Sequence, residues 1–176
     1  LTSAEAGKAA EKGIKSINPF CHTSVIPIAD GGEGLLDVLI TATKGKYITL
    51  SAHGPLMKMT KTHYGLSGNG RTAIIEMAAI SGLPLVPIEQ RNPMLTTTFG
   101  TGELIKDALN KGCRNFIIGI GGSATNDAGL GMLQALGFRF LDKSGHTLGT
   151  GGQIMEAVAN IDTVSYTHLR AHETKA

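Results

Sequence analysis

The chain has 176 residues, 41% of them hydrophobic, which is enough for one sizeable core or for parts of two. A formal net charge of +2 gives no electrostatic case for nucleic acid or a membrane surface, and no apolar run is long enough to span a bilayer. The two cysteines, Cys21 and Cys113, fit no metal-ligand spacing and point to a reducing compartment, the cytoplasm.

The first predicted element is a helix over 1–17. Thr2 and Glu5 make a capping-box pattern, Ala6, Ala9, Ala10, Gly13, Ile14 and Ile17 recur at helical spacing, and Pro19 stops it. HTSVIPIAD, residues 22–30, reads as a short strand, GGEG as a turn, and 33–45 as a second helix stopped at Gly45. Residues 46–78 are β-rich, with turns at HGPL and SGNG, the second signalling a hairpin. TGELIKDALNKG, 101–112, reads as a helix with Leu104, Ile105, Ala108 and Leu109 inward and Gly112 as its stop. RNFIIGI is then a buried strand, GGSATND a turn, AGLGMLQALG a helix stopped by Gly137, and FRFLD the next strand. Helix, strand, glycine turn, helix, strand is the grammar of a doubly wound α/β sheet. The final stretch, SYTHLRAHETKA (165–176), lacks core periodicity and is expected to be a non-native tail.

Three turns carry chemistry. In IGIGGSATND, residues 118–127, a strand delivers Gly121 and Gly122 to a sheet edge, Ser123 and Thr125 supply hydroxyls, and the following helix aims its free N–H groups at the turn. That is a place for a phosphate, with Asn126 beside it, and Asp127 could hold Mg²⁺, take a proton, or merely cap the helix. The same stretch matches the dinucleotide fingerprint G-x-G-x-x-A through Gly119, Gly121 and Ala124, with Asp142 as the ribose acid, so an NAD(P)-dependent oxidoreductase competes. A non-catalytic nucleotide-binding domain is a further alternative. In ADGGEG, 29–34, Asp30 stands either at a ligand edge or as an N-cap. In NPMLTTTFGTGEL, 92–104, Thr97 and Thr98 precede a helix, and Arg91 just upstream could fork a carboxylate. Glu76 interrupts an apolar run, where a buried acid needs a partner. His22, His53 and His63 show no partner at ligand or triad spacing.

In this order, SAEAGKAAEKGI, PIADGGEGLLDVL, HGPL, TAIIEMAAISGLPLVP, RNPMLTTTFGTGELIKDAL and IIGIGGSATNDAGLGMLQALG resemble the type I glycerate kinase family, from Leu1 to about Asp162. The resemblance implies two α/β lobes flanking a cleft. Residues 1–45 and 93–142 would form a partial Rossmann-like lobe, and 46–92 and 143–164 part of a second. It implies ATP and Mg²⁺ as cofactors and D-glycerate as substrate, phosphorylated to phosphoglycerate. Gly121, Gly122, Ser123, Thr125 and Asn126 would then meet the nucleotide, and Thr97, Thr98 and Arg91 the substrate. Asp127 would be metal ligand or catalytic acid–base group, with Asp30 as second catalytic candidate. On this view Asp127→Asn spares the fold and lowers the rate. Family members also begin with a strand and an APDS(Y/F)K-like stretch absent here, and continue well beyond residue 164. The chain is therefore expected to be an inactive portion of the enzyme.

Overall fold

The computed structural model describes residues 2–163, so the expected tail at 165–176 lies outside the described residues. Helix α1 spans Ser3–Ile17, and its N-terminus carries the expected capping box: Thr2 accepts from the Glu5 N–H, and Glu5 accepts from the Thr2 N–H. No α1 residue is buried. Residues 22–30 form no strand and pair with none among the described residues, which corrects the expected strand there. They are tied to α1 instead, by the Ile28 N–H to Ser3 Oγ (3.0 Å) and by Thr23 Oγ1 to Glu11.

Helix α2, Leu35–Thr43, ends on Lys44 in the left-handed region (φ 52°), not on Gly45. Gly45 is needed for another reason: a Cβ there would lie 2.4 Å from the Leu66 carbonyl oxygen. Strands β1 (Lys46–His53), β2 (Met59–Leu66) and β3 (Thr72–Glu76) form an antiparallel meander through the two expected turns. A short helix, α3 (Ala78–Ser81), and the longer α4 (Phe99–Asn110) carry the chain across to β4 (Asn115–Gly119), which lies parallel to β3. One sheet of order β1-β2-β3-β4 thus joins strands from 46–92 with one from 93–142.

Helices cover both faces of this sheet, as an α/β fold requires. Ala73 and Ile75 of β3 face α4 and join Tyr64, Ile80, Leu104, Ile105, Ala108 and Cys113, while Ile74 faces Leu36 and Ile40 of α2. β3 is therefore buried on both sides, the pattern of a central strand. β4 pairs only with β3 among the described residues, and Ile117 remains 42% exposed, so it is less buried than its apolar sequence suggests. Gly112 (φ 90°) stops α4 and Gly137 (φ 105°) follows α5, Leu130–Ala135, as the sequence leads one to expect. FRFLD does contain a strand, β5 (Arg139–Leu141), but it pairs with β6 (Asn160–Asp162) in a separate ribbon rather than extending the main sheet.

Candidate functional site

Asp127 closes the glycine turn after β4 and is only 1% exposed. Its carboxylate accepts the backbone N–H groups of Thr98 (2.8 Å), Gly129 (3.1 Å) and Gly131 (3.2 Å). It also accepts the hydroxyls of Thr97 (3.2 Å) and Thr98 (3.1 and 3.0 Å to its two oxygens). Thr98 Oγ1 in turn accepts the Met132 N–H at 2.9 Å, and Thr97 Oγ1 accepts the Phe99 N–H at 3.3 Å. The amides at the starts of α4 and α5 are thereby engaged. Two positive helix ends and a ring of donors offset the cost of burying the charge.

The amides that the sequence offered to a phosphate are the ones that hold Asp127. The carboxylate is thus buried and engaged by protein donors, which gives Asp127 a role in holding the two helix starts beside the expected metal or proton one. Thr97 and Thr98 turn their hydroxyls into this cluster, and neither lines the cleft formed by Arg91, Ser123 and Thr125. Among the described residues no three His, Cys, Asp or Glu side chains gather to hold a metal.

Gly121 and Gly122 also serve the fold. The Gly121 N–H donates to the Gly31 carbonyl at 3.0 Å. A Cβ on Gly121 would lie 2.7 Å from Gly32 Cα, and one on Gly119 would lie 2.5 Å from the Gly31 oxygen. Gly119 and Gly121 therefore let the ADGGEG and IGIGG loops lie backbone to backbone. Gly122, at φ 72°, accepts the Leu83 N–H at 2.9 Å. Asn126 is exposed, and its backbone oxygen is packed by the 151–152 turn, where a Cβ on Gly152 would come within 2.5 Å.

A cleft of about 230 Å³ is lined by Arg91, Asn92, Pro93 and Thr96 from one stretch of chain, Ser123, Ala124 and Thr125 from another, and Leu83 and Val86. The Ser123 and Thr125 hydroxyls are 2.8 Å apart. Arg91 donates from Nε to the carbonyl of Val86, another lining residue, at 3.3 Å. The structure thus brings Arg91, Ser123 and Thr125 together. It adds Thr96, whose place in the cleft could not be told from its two neighbours in a run of three threonines.

Asp30 is exposed and not an N-cap: α2 begins five residues later, at Leu35, and Asp30 Oδ1 accepts the Gly32 N–H at 3.0 Å. Through Gly32 it sits beside Gly121. The acid at the start of α2 is Glu76, buried at the end of β3, which accepts the Leu36 N–H at 3.3 Å. His53 does have a partner. Its Nδ1 lies 2.9 Å from Glu103 Oε1, its N–H donates to Glu103 Oε2 at 2.7 Å, and its ring meets Phe99 edge-on. The two residues are 50 apart in sequence, so no spacing rule could find them.

The dinucleotide fingerprint has its letters without its geometry. The next helix starts at Leu130, not beside Ala124, whose N–H goes to the Ser81 carbonyl (2.9 Å). Asp142 folds onto its own turn, taking the His146 (2.9 Å) and Ser144 (2.8 Å) N–H groups, and the His146 N–H above all holds its carboxyl below the usual range.

A family model described as "Glycerate kinase family" matches residues 1–175. A "Glycerate kinase" of Bacillus subtilis (strain 168) is 52% identical over 162 residues, 92% of this chain and 42% of that protein. A "Glycerate 2-kinase" of Escherichia coli (strain K12) is 49% identical, again over 92% of this chain and 42% of that protein. The crystal structure of a "putative glycerate kinase 2" from Salmonella typhimurium LT2 superposes with a TM-score of 0.81 at 48% identity, over 93% of this chain and 44% of that one. The chain thus spans less than half the length of the relatives it matches.

Proposed function

The chain belongs to the glycerate kinase family, and we propose that it supplies the acid-binding cleft of a cytoplasmic enzyme that transfers the γ-phosphoryl group of ATP to D-glycerate. One observation carries this reading: Arg91 lines a cleft of about 230 Å³ together with the paired hydroxyls of Ser123 and Thr125. That volume lies below the ~300–1,000 Å³ that drug-sized ligands occupy, so it suits a three-carbon acid and not a nucleotide. The guanidinium takes the carboxylate by its planar fork, and the hydroxyl pair takes a substrate hydroxyl.

In the reaction the glycerate oxygen bonds to the γ-phosphorus, the bond to ADP breaks, and the hydroxyl proton leaves to a base. Asp30, exposed beside the Gly32–Gly121 contact, is the acid we assign to that proton; Asp127 acts only by holding the starts of α4 and α5. The described residues do not fit a protein-built Mg²⁺ cage, so any Mg²⁺ enters with the nucleotide. Nucleotide contacts fall to the part of the family polypeptide beyond this chain's match, and the 176-residue chain alone does not turn over.

The test is a chimera in which this chain replaces the matched part of the B. subtilis relative. It should form phosphoglycerate from ATP and D-glycerate. Arg91→Met should raise KM for glycerate ~10-fold or more, a loss of the size expected for a charge-assisted contact, while KM for ATP holds. A folded chimera without turnover, or an Arg91→Met change confined to the ATP KM, refutes the reading.

A further inference from the structure

We propose that Thr96 is a positioning residue that sets the spacing between the carboxylate-reading and hydroxyl-reading banks of the cleft; the inference rests on the acid-binding reading above. Thr96 is 1% exposed and lines the cleft floor. Its Oγ1 donates to the Ala124 carbonyl at 2.7 Å, while the Asn92 and Pro93 carbonyls lie farther, at 3.4 Å. A hydroxyl has one proton to give, so the Ala124 bond is the one made.

That bond joins the two stretches of chain that line the cleft. On one side it belongs to the Asn92–Leu95 turn, closed by the Leu95 N–H to the Asn92 carbonyl (3.0 Å), directly after Arg91. On the other it grips the residue between Ser123 and Thr125. The 122–124 backbone is also anchored to the chain after α3, by Leu83 N–H to Gly122 O and Ala124 N–H to Ser81 O, both at 2.9 Å. These two bonds fix the hydroxyl bank to the sheet side. Thr96 is what joins that bank to the turn carrying Arg91. Its neighbours Thr97 and Thr98 point the other way, into Asp127, and so pin the backbone on which Thr96 stands.

A ligand touching both banks depends on this spacing, whereas a ligand touching only Arg91 does not. The experiment compares D-glycerate with propionate, which presents a carboxylate and no hydroxyl, by calorimetry on the 176-residue chain. Thr96→Val keeps the shape and removes the donor; Thr96→Ala removes the donor by another route if the first variant does not fold, and thermal melts identify the folded samples. We expect the glycerate Kd to rise ~10-fold with propionate affinity unchanged, and Thr96→Ser to restore the preference. A glycerate-to-propionate ratio unmoved in a folded donorless variant, or not restored by Thr96→Ser, overturns the proposal. A wild-type chain that does not prefer glycerate overturns the acid-binding reading itself, and the role of Thr96 falls with it.

Discussion

Thr98 gives Asp127 both of its donors, the backbone N–H at 2.8 Å and the hydroxyl at 3.0 Å, across 29 residues of sequence. One buried carboxylate thereby fastens the start of α4 to the start of α5.

Asp127→Asn should destabilise the chain by ~2–4 kcal/mol, because the amide replaces one accepting oxygen with a donor that faces N–H groups and leaves them unpaired. The urea midpoint is the measurement. A midpoint within error of wild type would show that the cluster does not hold the helices, and would restore the fold-sparing expectation drawn from the sequence.

Two glycines in helices should respond oppositely to alanine. At Gly131 a Cβ would lie 2.0 Å from Thr97 Oγ1 and 2.8 Å from Asp127 Oδ2. Gly131→Ala should therefore cost ~2 kcal/mol or more, as overpacking does. At Gly13, inside α1, nothing lies within 4 Å of the new methyl, so Gly13→Ala should gain ~0.5–1 kcal/mol from helix propensity. Thermal melts of both variants decide it; an equal sign in the two would contradict the packing described for α4 and α5.

Stability should fall in alkali. Burial, then the 2.9 Å hydrogen bond to Asp107, pushes the Tyr64 phenol well above its ordinary 10.0, and burial pushes the Cys113 thiol above its ordinary 9.0. Both stay protonated in the fold after the unfolded chain has begun to release its protons. Their contribution is full below about pH 9 and declines as pH rises through about 10 and beyond. Tyr64→Phe should cost ~1 kcal/mol at neutral pH through the lost bond, yet flatten the alkaline decline. A slope equal to wild type in that variant would remove Tyr64 from the account.

The two cysteines should separate chemically. Cys113 is wholly buried with a raised thiol, while Cys21 is partly exposed. Near neutral pH a water-soluble disulfide reagent should label Cys21 at least ~10²-fold faster, since the exposed thiolate is the reacting species. Comparable rates would mean that the α4–sheet core opens readily.

Local signals in the chain were well read wherever both partners lie a few residues apart. The Thr2–Glu5 box, the SGNG hairpin and the Gly112 and Gly137 stops are of this kind. The strand expected at 22–30 is absent because a short apolar stretch does not specify the neighbour that completes a ladder. In the site, a charge at a helix start marks Asp127 from the sequence alone. The sequence could not show that α4 and the threonines would fill its coordination first. The His53–Glu103 pair and the side of the cleft on which Thr96 falls depend on tertiary contacts, for which one sequence holds no period or spacing.

The seam between ADGGEG and IGIGG has a practical meaning for anyone recombining relatives. A side chain at 121 would run into the backbone of Gly32, its Cβ 2.7 Å from Gly32 Cα, so these two stretches behave as one heritable part although about ninety residues separate them. A crossover placed between them inherits its halves from different parents. It is safe only where the parents kept glycine at position 121; a shuffled library should lose folded members to a crossover within that interval faster than to one at the exposed turn near Gly145, beyond both stretches, where a Cβ would meet nothing within 4 Å.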